Sequence, residues 1–220
     1  LSPALSLKAQ AAELDEILRY DITVDVNDDA TLSMVYHIEW KVLDSDSEGP
    51  LSWVKIGIPN RNYISMEGRS DAVKKIGYTS DGGSCVRVDL DRAYYAGEVA
   101  DIRFELVQDG MYQANLLAEG ETVYQFTPGW FDDIKVDELT VRWNGDKTLH
   151  QTPACRVGPD GYLTWTTALD KGESFTVTVT YPNDAYAFDL TKELDLGNDA
   201  AGEGDEIFAV VGGLVDVQVA

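Results

Sequence analysis

Two stretches near the start of the chain alternate apolar and polar residues with a period of two. Tyr20, Ile22, Val24 and Val26 interleave with Arg19, Asp21, Thr23 and Asp25; after "NDDA", Leu32, Met34, Tyr36, Ile38 and Trp40 fall on one face. Successive side chains of a strand point to opposite faces, so this spacing predicts an antiparallel hairpin with one buried face. Such a face needs a second layer to cover it. The same reading places strands at 52–58, 73–78, 85–90, 99–107, 121–126, 138–143, 161–166 and 174–181. In "SFTVTVTY", Phe175, Val177, Val179 and Tyr181 are expected to face inward and the threonines to face water. Asp81-Gly82-Gly83, Asp109-Gly110, Asn144-Gly145-Asp146 and Pro159-Asp160-Gly161 supply turns between them. Amphipathic helical periodicity longer than about two turns is absent between Tyr20 and Tyr181. The predicted fold is all-β: an antiparallel β-sandwich of two packed β-subdomains, 13–127 and 128–184, meeting near Pro128.

A chain of 220 residues with 44% hydrophobic content can bury a core of this kind. Its 39 Asp and Glu against 17 Lys and Arg give a formal net charge of −22. A field of that sign repels phosphate backbones and anionic lipid, which argues against nucleic acid and membrane-surface partners and permits divalent metals. Cys85 and Cys155 stand 70 residues apart with no second Cys or His at metal-ligand spacing, which argues against a zinc site built on them. They pair as a disulfide only if the fold brings them together; otherwise they are independent thiols.

The ends suggest export. "LSPALSLKAQA" reads as the tail of a secretory signal with small residues at Ala9 and Ala11, so 1–12 is expected to be a signal remnant or N-terminal tail. Residues 185–206 are acidic and small, a composition expected of a linker. Residues 207–220, "IFAVVGGLVDVQVA" with its preceding acidic stalk, read either as the opening of a membrane span or as a last strand in which Val215, Val217 and Val219 alternate with Asp216 and Gln218.

Candidate chemistry is sparse. The stretch "TPGWFDD", 127–133, places Trp130 and Phe131 after a Pro-Gly pair suited to a type II turn, followed by Asp132 and Asp133. The two rings fit either a plug between β-layers or a ligand platform. Adjacent aspartates on an extended segment face opposite ways and cannot flank one bond, so a carboxylate hydrolase needs a further acid from elsewhere. In "GPLSWVKIGIPNRNY", Val54, Ile56 and Ile58 are expected inside and Trp53 outside, where it can serve as a ligand contact. Asp25, Asn27 and Asp29, and likewise Asp44, Asp46 and Glu48, offer hard oxygens at alternate positions that suit calcium, or simply occupy solvated turns. His37 and His150 are the only histidines. There is no G-x-S-x-G elbow, Walker loop, G-x-G-x-x-G or H-E-x-x-H motif.

The stretch "ITVDVNDDATLSMVYHIEWKVLDSDSEGPLSWVKIGIPN", 22–60, resembles the N-terminal region of uncharacterised membrane-anchored extracellular proteins of Gram-positive gut bacteria, as does "FTPGWFDDIKVDELTVRW" less closely. Ala30 stands where that resemblance leads one to expect Gly. The resemblance implies a signal peptide, a β-rich ectodomain, an acidic linker and one membrane span, and it carries no catalytic residue. Together these features predict a non-enzymatic ectodomain of a cell-surface protein, with a recognition, adhesion or scaffolding role toward a protein or glycan. The alternatives are a calcium-stabilised glycan-binding module and a carboxylate-dependent extracellular hydrolase.

Overall fold

The structure is a computed structural model and describes residues 13–195. Residues 1–12, expected to be a signal remnant or N-terminal tail, the later part of the expected linker and the apolar segment at 207–220 lie outside the described residues. Fourteen strands follow in order: β1 (Asp15–Val26), β2 (Leu32–Val42), β3 (Leu51–Gly57), β4 (Tyr63–Gly68), β5 (Val73–Thr79), β6 (Cys85–Tyr94) and β7 (Val99–Gln108). Then come β8 (Tyr112–Ala114), β9 (Glu121–Phe126), β10 (Val136–Asn144), β11 (Gln151–Thr152), β12 (Arg156–Val157), β13 (Tyr162–Leu169) and β14 (Val177–Pro182).

They form a seven-stranded sheet in the order β12-β13-β10-β1-β2-β7-β4, a four-stranded sheet β11-β14-β9-β8 and a three-stranded sheet β3-β6-β5. The fold is the all-β sandwich expected, with every pairing antiparallel except that of β1 with β10. Each of the two larger sheets takes strands from both sides of Pro128. Residues 127–135 therefore carry the chain from the four-stranded sheet to the seven-stranded one.

The predicted hairpin is the centre of the large sheet. Val26 pairs with Leu32 and Asp15 with Val42, and the turn closes through Asn27 N–H to Thr31 C=O at 2.8 Å. Its inward residues Tyr20, Ile22, Val24, Leu32, Met34, Tyr36 and Ile38 are fully or almost fully buried. Tyr36 stacks on Phe104 of β7 at 4.5 Å between ring centroids. The four-stranded sheet packs on this face through an aromatic knot. Tyr124 lies 5.6 Å from Trp143 and 5.7 Å from Tyr181, the Trp143 indole N–H donates to the Tyr181 hydroxyl at 2.6 Å, and the Tyr124 hydroxyl donates to the Ala30 carbonyl at 2.8 Å. Val54, Ile56, Val86 and Val88 bring the three-stranded sheet into the same hydrophobic core.

Three expectations are corrected. Thr178 and Thr180 are buried rather than solvated, because β14 is an interior strand and residues 149–152 run beside it, with Leu149 N–H bonded to Thr180 C=O at 2.8 Å. Residues 185–195, read as the start of a linker, instead cross back over the sheets as a strap. Tyr186 and Phe188 pack against Tyr181, Tyr124 and Tyr112, and Asn60, itself fully buried, donates to the Asp195 carbonyl at 2.9 Å. Two aromatics supply the apolar surface that the acidic composition of the segment concealed. Third, Gly129 is absent from the positive-φ residues, which rules out the expected type II turn at Pro128-Gly129. Cys85, at the head of β6, and Cys155 are not joined in a disulfide.

Candidate functional site

The stretch 127–133 borders an open cleft of about 700 Å³. One wall is β3 and its exit, from Lys55 to Pro59, with the turn at 82–85 that joins β5 to β6. The facing wall is the end of β9 and the following segment, from Gln125 to Ile134, with Ser174 and Thr176 before β14. The walls meet at two glycines. A Cβ on Gly129 would lie 2.5–2.7 Å from the Gly57 backbone, a separation that real Cβ atoms do not reach. Glycine is required here by close approach of two backbone segments rather than by a left-handed turn.

That contact separates the roles of the neighbouring aromatics. Phe131 turns inward, edge-on to Trp40 at 5.4 Å and 6.2 Å from Tyr20, and plugs the core. Trp130 turns outward and is 44% exposed at the cleft rim. Gln125 is 9% exposed and places an amide in the floor, while the Thr127 and Thr176 hydroxyls bond each other at 2.7 Å on the same wall. Lys55 bonds to the carbonyl and carboxylate of Asp81 at 3.1 and 3.2 Å. Asp132 and Asp133 both line the cleft and are exposed. Among the described residues, the wall opposite them carries Lys55, glycines, Ser84 and Cys85, and no Asp or Glu. Two carboxylates flanking one bond, the geometry of glycoside hydrolysis, are therefore not brought together here.

Trp53 lies elsewhere. It is 42% exposed on the outer face of the three-stranded sheet, beneath the Arg87 guanidinium at 4.3 Å and beside Lys74 and Lys75. The side chains of the acidic loops are engaged in local turns or, for Asp25, by neighbouring strands. Asp25 accepts from the Tyr162 hydroxyl at 2.7 Å and Asn144 at 3.0 Å, Asn27 bonds Thr31 and Ser33, and Asp29 accepts from the Thr31 hydroxyl at 2.6 Å. Thr31 holds the Asp29 carboxyl below its ordinary value. Asp44 accepts from the Ser47 hydroxyl and from the backbone N–H of Asp46 at 2.8 Å, which likewise lowers its carboxyl, while the Asp46 and Glu48 side chains are exposed. Among the described residues, the set of three His, Cys, Asp or Glu side chains whose ligand atoms converge within 4.8 Å is a different one: His37, Glu39 and Asp101.

Gln125, Ser174, Thr176 and the 82–85 turn escaped the sequence reading because they come together only through sheet packing. Gly57 was the available signal, since a glycine inside an otherwise apolar strand marks close backbone approach.

No family model matches the chain, and no curated protein matches it. Among solved structures, the M1 zinc metallopeptidase of Deinococcus radiodurans is 14% identical over 78% of this chain, with a TM-score of 0.45. A two-domain M1 zinc metallopeptidase variant bound to L-tryptophan is 13% identical over 78% of this chain, with a TM-score of 0.47. The chain spans 43% of the length of each.

Proposed function

We propose that this domain is a non-enzymatic recognition module of an exported, surface-attached protein, and that it takes an extended, hydroxyl-rich ligand of the glycan class in the cleft beside Trp130. The observation that carries this reading is the lining. A half-exposed indole at the rim shares one wall with a nearly buried amide and threonine and serine hydroxyls, and the opposite wall is largely glycine backbone and apolar side chains with Lys55 at its edge. Such a surface offers a flat face for a sugar ring and both donors and acceptors for its hydroxyls. The surface location rests on the sequence at the two ends of the chain and on the resemblance of residues 22–60.

The test is a thermal-shift screen of the full chain against host and bacterial glycans. Stabilisation by one glycan that Trp130→Ala abolishes and Trp53→Ala preserves supports the cleft. Stabilisation lost only with Trp53→Ala moves the site to the three-stranded sheet, and release of free sugar during incubation would make the protein a hydrolase.

A further inference from the structure

The outer face of the seven-stranded sheet carries a cluster that the cleft does not use. His37 and Glu39 are two residues apart on β2, so both side chains emerge on this face, and Glu39 stands directly opposite Asp101 on β7. The His37 Nε2 atom lies 3.3 Å from an Asp101 oxygen and 3.9 Å from a Glu39 oxygen. This nitrogen is buried and has no hydrogen bond of good geometry. We propose that His37 Nε2 and one oxygen each of Glu39 and Asp101 form a binding site for a first-row divalent cation of the zinc class.

Three features support it. A tetrahedral ion with bonds of about 2.0–2.2 Å holds its ligand atoms roughly 3.3–3.6 Å apart; the two histidine–carboxylate separations of 3.3 and 3.9 Å bracket that spacing, and all three ligand atoms lie within 4.8 Å of one another. Imidazole with two carboxylates is a donor set that zinc and its neighbours accept, leaving a fourth position for water. Finally, Asp21 on β1 faces the other ring nitrogen, its oxygen 3.9 Å from Nδ1, the place from which a carboxylate orients a metal-bound histidine.

The surrounding charges are compatible with a dication. Arg103, opposite His37, forks onto Asp101 at 2.8 and 3.1 Å, and Arg19 lies 3.9 Å from Glu39 and 3.5 Å from Asp21. A carboxylate oxygen has two lone pairs, so Asp101 can accept from Arg103 and still face an ion. Without metal, the same groups are simply an ion-pair network centred on a histidine.

The chain has two histidines, which makes the test direct. The full chain, stripped of metal and labelled with ¹⁵N, is titrated with Zn²⁺ while its imidazole resonances are followed. One equivalent should move the His37 ring signals and leave in place those of His150, which precedes β11 and pairs with Thr180 in the four-stranded sheet. Asp101→Asn should weaken the effect by about ten-fold or more, since even the loss of a group that only orients a zinc ligand costs that much. His37 signals unmoved at millimolar zinc, His150 moving in parallel, or full affinity in Asp101→Asn would each overturn the site. The wild-type titration decides the first two outcomes even if the variant folds poorly.

Discussion

The two seams beneath the large sheet's partners are built on opposite rules. Where the four-stranded sheet meets the seven-stranded one, Trp143, Tyr124 and Tyr181 fill the space, and their polar atoms are spent on one another and on the Ala30 carbonyl. Where the three-stranded sheet meets the 125–134 segment, Gly57 and Gly129 touch and the space beside them stays open as the cleft. The first seam closes because large rings bury area and satisfy their own donors. The second remains open because a backbone contact fixes the separation of the walls without supplying side chains to fill it. The tightly packed seam and the proposed binding cleft thus lie at different places in one core.

Substitutions sharpen that division. Trp143→Ala removes a fully buried ring and the donor to Tyr181, and should cost about 3–5 kcal/mol in a denaturant titration. Gly129→Ala forces a methyl into the Gly57 backbone; a loss of about 2–3 kcal/mol together with loss of any cleft ligand is expected. Full stability in Gly129→Ala would show that the walls are not held by this contact. Phe188→Ala, in the strap, should cost about 1–2 kcal/mol, since its ring is only half-buried against Tyr112 and Tyr124. Ala30 is held at φ 66°, a left-handed conformation that suits Gly, and Ala30→Gly should raise stability by about 0.5 kcal/mol, the relief of strain slightly exceeding the lost methyl burial.

What the sequence disclosed follows the same division. Strands with a buried alternating face were legible: β9 falls at the expected residues, and β2, β6 and β7 differ from expectation only by extension at their ends. β4 was not, because it is an edge strand whose side chains are mostly exposed, and its pairing with β7 rather than its own pattern defines it. The two-residue β11 and β12 leave no period to read. The strap was hidden by its acids, although Tyr186 and Phe188 were there to be weighed. In the candidate site, Trp130 and the adjacent carboxylates were visible as residues, but the opposite destinations of Trp130 and Phe131 depend on the Gly57–Gly129 contact, which joins positions 72 residues apart. His37 and Glu39 were visibly on one face; adding Asp101 required the register of β2 on β7.

Of the five tryptophans, Trp40, Trp143 and Trp165 are buried and only Trp53 and Trp130 are exposed. Trp53→Phe therefore leaves Trp130 as the exposed indole, and acrylamide quenching of its fluorescence reports on the cleft alone. The most direct measurement is that quenching in the Trp53→Phe chain, with and without the glycan that stabilises it most. Protection of Trp130 on saturation is the predicted result. A glycan that binds while Trp130 remains as quenchable as before would contradict a site in the cleft.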